Sequence, residues 1–332
     1  MLAKKIKIFI NYVVGPALFI WLSFSIYHQI LQQKNLYATW KNITASFGLN
    51  KWLLVFASVF LMLVNWGIEA YKWKLLVKGI EDVSFAKAFC AVFTGQALAF
   101  GTFNGFGDFV GRGIYMNEGN RIRSISVTIV GSLAQTIATI AFGVIGLFCF
   151  RFFFADRISF LSGLSSFWVD GLLYVLIIIT ILIIVFYFNL SLVTKMVEKI
   201  PFVSKYVYFI DKVKFFHRKE LTRILNLSIA RYIIFIVQYL LLLHVFKINA
   251  NLWHEVWLIS IMFLMLTIVP TIALAELGLR GKLSIALLGL ISANTIGIIL
   301  TSAGIWLVNK VVPALAGSLF ILGIKLFKKE TN

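Results

Sequence analysis

Charge is scarce in this chain. Of 332 residues, 13% are Asp, Glu, Lys or Arg, against about 25% in an average soluble domain. Hydrophobic residues make up 61%, and the mean hydropathy is +0.94. So few charges cannot keep that much apolar surface in water. Runs such as LLYVLIIITILIIVFYF (172–188) exclude a soluble enzyme. Apolar–polar alternation is also missing, which excludes a transmembrane β-barrel. Cysteine is nearly absent: Cys90 and Cys149 both sit in apolar runs, as small core residues rather than a disulfide or metal site. Acidic residues are the rarer sign, 13 against 31 basic, for a net charge of +18. In a membrane protein that excess belongs to cytoplasmic loops facing anionic lipid head groups, so nucleic acid is not an expected partner.

Chemical signatures are lacking as well. No G-x-x-x-x-G-K-[ST] phosphate loop occurs; the GK pair within Gly278–Lys282 has neither the spacing nor the following hydroxyl. The four histidines, His28, His217, His244 and His254, have no metal-binding spacing. No G-x-S-x-G or Cys/His pairing is found. The expectation is a non-enzyme with no metal and no cofactor.

What is present is a series of membrane-length apolar segments. About 20 apolar residues cross a bilayer. Clear spans fall at roughly 8–28, 52–72, 124–150, 168–188, 222–246 and 283–307. Stretches 84–120 and 256–281 are less regular, and 311–327 is short and begins near Pro313. Lys4, Lys5 and Lys7 precede an apolar stretch with no convincing cleavage site, which reads as an uncleaved first helix. Segment 189–222 interleaves Lys195, Lys199, Lys205, Lys212, Lys214 and Arg218 with apolar residues at helical spacing. It reads as an interfacial helix broken at Pro201, with a plain cytoplasmic linker as the alternative.

Parity then constrains topology. The basic N-terminus and the basic 189–222 segment both belong in the cytoplasm. Four clear spans separate them, so 84–120 enters from the cytoplasm and returns as a hairpin. Lys72, Lys74, Lys78 and Lys87 flank its start, and Arg112, Arg121 and Arg123 flank its end.

The hairpin turn reads GTFNGFGDFVGRGIY (101–115), with Asn104, Asp108 and Arg112 among five glycines. Asp108 and Arg112 are four apart and share a helix face. A second irregular region, IVPTIALAELGLRGK (268–282), again sets an acid four residues before an arginine: Glu276 and Arg280. Pro270 breaks the helix there. Ionised groups at membrane depth are costly and tend to be functional. The recurrence predicts an internal duplication, 52–188 and 223–327, whose halves are inverted. Whether 256–281 crosses or re-enters stays open, because Lys310 and the basic tail argue for a single crossing. In NWGIEAYKWKLL (65–76), Asn65 and Glu69 share a face and Lys72 follows; Glu69 is either a functional acid or a membrane-edge residue paired with Lys72. Gln96, Gln135, Gln238 and Asn294 read as inter-helix hydrogen-bond formers.

Across about 50–325, NWGIEAYKWKLL, FNGFGDFVGR, GSLAQTIATIAFGVIGL (131–147) and AELGLRGKLSIALLGL (275–290) resemble the flippase-like membrane family. That family includes the transmembrane region of lysylphosphatidylglycerol synthase, the multiple peptide resistance factor. The G-x-G-[DE]-x-x-G-R and E-x-G-x-R patterns carry the resemblance. It implies a polytopic lipid-handling domain; the soluble aminoacyl-transfer domain is not part of this chain. VPTIALAELG departs from the usual Pro-Gly-Gly-rich form, which leaves the substrate open.

The sequence therefore predicts an all-α, polytopic transmembrane helical bundle with about seven to nine spans, one or two of them re-entrant or broken. The expected function is translocation of a phospholipid or lipid-linked head group across the cytoplasmic membrane. Its candidate substrate-binding residues are Asp108, Arg112, Glu276, Arg280, Glu69 and Asn104, and its partners are membrane lipids with anionic head groups. The alternative is a non-transporting scaffold or regulatory partner of a separate lipid-modifying enzyme, docked through 189–222. An intramembrane enzyme is a third reading, requiring an unpaired acid in a lipid pocket.

Overall fold

A computed structural model describes residues 48–153, 166–191 and 213–327, with the isolated positions 24, 41 and 194. The expected first helix at 8–28 and most of the basic segment 189–222 lie outside these residues. The described residues are helical throughout, with no strand. Among them five helices are long and apolar enough to cross a membrane: Leu49–Val77, Glu118–Phe152, Asp170–Phe188, Arg218–Val245 and Thr295–Ile321. This is a membrane protein.

Helix α1 (Leu49–Val77) opens the described chain. Helix α2 (Phe85–Phe100) starts at Ser84, whose hydroxyl accepts from the Lys87 amide at 3.2 Å. It ends where glycines collect. Asn104 (φ 50°) and Gly105 (φ 69°) turn the chain in the left-handed region, which glycine enters freely and asparagine tolerates. Helix α3 (Gly107–Gly113) then folds back, its Gly107 amide capped by the Thr102 hydroxyl at 2.8 Å. Backbones touch in this hairpin: a Cβ on Gly111 would lie 2.5 Å from Gly95 Cα. At its open end, Glu81 accepts from the Asn117 amide (3.1 Å) and Asn120 Nδ2 (3.2 Å). Both ends of 84–120 therefore meet, and the segment is a hairpin.

Helix α4 (Arg121–Phe153) and α5 (Ser166–Phe188) follow. The outer face of α5 is bare apolar surface, including Leu172, Ile178, Ile181 and Phe186; the Tyr187 hydroxyl donates to Leu221 O at 2.9 Å on the next helix. That helix, α6 (Arg218–Val245), begins earlier than the expected span at 222. Glu220 accepts from the His217 amide at 3.0 Å, closing the first turn. Arg218, Lys219 and Arg223 thus belong to α6 and not to a linker.

Helix α7 (Leu252–Ile268) is capped by Asn251, which accepts from the Trp253 amide at 3.0 Å. It stops before Pro270, whose ring disfavours helical backbone at the preceding residue; Val269 is extended (φ −93°, ψ 104°). Helix α8 (Ala273–Leu288) folds back along α7: the Ser284 hydroxyl lies 3.1 Å from Met262 Sδ, and the Arg280 guanidinium lies 5.8 Å from the centre of the Phe263 ring. Stretch 256–281 is thus a second hairpin.

The span expected at 283–307 is not one helix. The chain breaks between Gly289 and Asn294, where Asn294 Oδ1 caps the Gly297 amide (2.9 Å) and Nδ2 donates to Phe246 O (2.9 Å). That bond joins the second hairpin's two ends, as Glu81 does for the first. Helix α9 (Thr295–Trp306) continues through a π-turn (Leu307–Val311) into α10 (Val312–Phe327). Pro313 lacks the N–H to bond the preceding turn, and the wide turn there accommodates the mismatch. The short span at 311–327 is therefore the end of a long helix. Each half reads long helix, broken hairpin, long helix, with α5 between them. The tips meet: the Asn104 amide donates to Thr271 O at 2.9 Å. Cys90 and Cys149 are free thiols, half-buried rather than in the core.

Candidate functional site

Between the two hairpin tips and helices α1, α4 and α6 lies a cavity of about 450 Å³, within the usual range of small-molecule sites. Its lining carries eight ionisable Asp, Glu, Lys and Arg side chains. All six residues singled out in the sequence line it: Glu69 from α1, Asn104 from the first tip, Asp108 and Arg112 from α3, Glu276 and Arg280 from α8.

Glu69 is paired with Lys72, and with more than Lys72. It is 5% exposed and is the hub of a charge network. Its Oε1 accepts from Arg112 Nη1 at 2.8 Å; its Oε2 meets Lys72 Nζ at 2.7 Å and also Arg231 Nη1. Arg112 reaches it because α3 is glycine-rich and packs close to α2. From the same helix Asp108 takes Arg112 Nη2 at 2.7 Å and Nε at 2.9 Å. Gln96 Nε2 donates to Asp108 Oδ1 at 3.3 Å. The pair expected from i,i+4 spacing thus forms, and Glu69 extends it.

Arg231 was not among the residues singled out, although it interrupts the apolar run of 222–246. Its Nε donates to Asn65 Oδ1 at 2.8 Å and its Nη1 also approaches Gln135 Oε1 at 3.3 Å. The guanidinium sits 5.3 Å from the Trp66 ring centre and 5.8 Å from that of Phe235. Gln135, read as an inter-helix bond former, and Asn65, read as sharing a face with Glu69, act here by holding a cation. An arginine inside a membrane span was the signal available for finding this residue.

The second pair forms too. Arg280 Nη2 donates to Glu276 Oε1 at 2.6 Å. Lys310, from the π-turn, approaches Glu276 Oε2 at 3.6 Å with its side chain 41% exposed. The π-turn widens the helix there. No ion pair among the described residues joins Arg112 and Asp108 to Arg280 and Glu276; the two clusters face a common cavity as separate units. Two buried donors on lining side chains, Trp66 Nε1 and Arg280 Nε, have no protein acceptor.

Chemically, the site offers a polar, cation-rich chamber inside an apolar bundle, suited to holding an anionic group. Compared with family models, curated proteins and solved structures, the chain matches none of them.

Proposed function

We propose that this protein moves a phospholipid or lipid-linked head group across the cytoplasmic membrane, with the cavity as the polar way station. The observation that carries this reading is the gathering of eight charged side chains in one cavity where two broken hairpins meet. A head group needs such a route, while its acyl chains stay in lipid. Irregular backbone at membrane depth persists where it is surrounded by protein or lines a watery cavity. A scaffold docked through 189–222 has no use for a shared cavity with surplus cations, which supports translocation instead.

In this reading 49–153 and 218–327 are inverted repeats, each contributing one hairpin from opposite faces, as in many transporters. The first hairpin opens beside Lys74, Lys78, Lys87, Arg121 and Arg123, which makes that face cytoplasmic by the positive-inside bias. The resemblance to the flippase-like family belongs to the same proposal. With no phosphate-loop motif in the sequence, movement is downhill or driven by protons or the membrane potential.

The test is reconstitution of purified protein into vesicles holding head-group-labelled fluorescent lipids, with dithionite quenching of the outer leaflet. Protein-dependent loss of protected fluorescence for at least one head group is expected. Rates equal to protein-free vesicles for every head group tried would overturn the reading.

A further inference from the structure

We infer that the cavity selects a head group bearing a doubly ionised phosphate, a phosphomonoester or diphosphate, over the singly charged phosphodiester of common phospholipids. This rests on the translocation reading and specifies its substrate class. The argument begins with a charge balance. The lining cations are Lys72, Arg112, Arg231, Arg280 and Lys310; the lining carboxylates are Glu69, Asp108 and Glu276. The excess is two positive charges, and it is divided. Around Glu69, three cations meet two carboxylates; around Glu276, two cations meet one. Each cluster keeps one uncompensated charge, and both border the same cavity. The surplus around Glu69 is buried, where unpaired charge is costly, and that around Glu276 is carried by the part-exposed Lys310; the ligand that balances both brings two negative charges. A phosphodiester leaves one cation unbalanced, and a zwitterionic head group leaves both.

The donors agree. Arg112 uses Nε, Nη1 and Nη2 on Asp108 and Glu69, and Arg231 uses Nε and Nη1. Arg280 gives Nη2 to Glu276 with the Tyr239 hydroxyl beside it, and its Nε has no acceptor. Lys310 stands beyond hydrogen-bond length from Glu276, with its side chain part-exposed. Spare donors therefore remain on Arg231 Nη2, Arg280 and Lys310, and the part-exposed Lys310 marks the side where phosphate oxygens dock. Arg280 lies over Phe263, which leaves the guanidinium edge to donate.

The experiment is calorimetric titration of the full-length protein in detergent micelles with dioctanoyl phosphatidic acid, phosphatidylglycerol and phosphatidylcholine. Inorganic phosphate and pyrophosphate are titrated in parallel. At pH 8 phosphatidic acid should bind at least about tenfold tighter than phosphatidylglycerol, since one further compensated charge is worth that order. Its advantage should shrink toward pH 5, as a phosphomonoester with a second pKa near 6 loses its second charge. Tyr232 is the other ionisable group on the lining. Lys310→Gln should remove most of the advantage, Lys310→Arg should restore it, and Lys78→Gln, an exposed site outside the cavity, should leave it intact. Equal affinity for phosphatidic acid and phosphatidylglycerol, or an advantage untouched by Lys310→Gln, would overturn the charge assignment while leaving translocation standing. Pyrophosphate or phosphate binding as tightly as phosphatidic acid would uphold the charge assignment and overturn the lipid reading.

Discussion

Glu69 answers to three cations at once, and its neighbours are buried with it: Lys72 is 1% exposed, Arg112 4% and Arg231 6%. Such a hub is asymmetric in its response to mutation. Removing the carboxylate leaves three cations facing one another, and breaking a buried pair costs about 3–5 kcal/mol. Glu69→Gln is therefore expected to lower the thermal unfolding midpoint in micelles sharply. Asn65→Ala, which removes one hydrogen bond to Arg231, should cost about 1–3 kcal/mol. An unchanged midpoint for Glu69→Gln would mean that water reaches the hub freely. The same burial governs what Arg112→Ala does. The structure sets Arg112 between Glu69 and Asp108, so its loss confronts two carboxylates and destabilises the protein as well as the site.

At the scale of elements, the first hairpin depends on bare backbone. A Cβ on Gly95 would meet Asp108 Oδ1 at 2.3 Å and Asp108 O at 2.9 Å; one on Gly111 would meet Gly95 Cα at 2.5 Å. Gly111→Val should therefore separate α2 from α3, pull Arg112 from Glu69 and abolish lipid movement, whereas Gly119→Ala, which meets nothing within 4 Å, should be silent in the same vesicle assay. The hairpin's open end makes a pH prediction. Burial alone would raise the Glu81 carboxyl, but the Asn117 amide, Asn120 and Lys87 outweigh it and hold it below the usual glutamate value. A depressed folded value contributes stability that is complete above the unfolded pKa of about 4.3 and is lost as pH falls through the folded one. The difference in unfolding midpoint between wild type and Glu81→Gln should be constant from pH 8 to about 5.5 and should shrink below about 4. A difference that grew on acidification would have the wrong sign for this lock.

For the whole molecule, the two tied hairpins dictate sidedness. With Cys90 and Cys149 replaced by alanine, single cysteines at Lys78 and Gly119 should label from the same face of the membrane, and one at Asn249 from the opposite face. The geometric reasons are the Glu81 bonds to Asn117 and Asn120, the Asn294 bond to Phe246, and the Lys51 Nζ contact with Val245 O at 2.6 Å. Labels at 78 and 119 on opposite faces would dismantle the first hairpin. Labels at 78 and 249 on one face would dismantle the inverted arrangement.

The sequence by itself determined the solvent, the helical class and the first hairpin, because hydropathy and basic flanks depend on composition along the chain. It also determined the i,i+4 pairs Asp108–Arg112 and Glu276–Arg280, since helix geometry brings those residues together without help from elsewhere. Glu69 was legible as an acid but not as a hub: Arg112 and Arg231 reach it from 43 and 162 residues away, separations on which no local pattern reports. The break at Gly289–Asn294 was hidden because LGLISANTIG is apolar enough to pass for a span, and the second hairpin was hidden behind Lys310, which reads as a loop charge but faces Glu276. Tertiary packing alone decided which polar groups share a chamber, because bringing two distant helix breaks tip to tip is a property of the folded bundle and not of either segment.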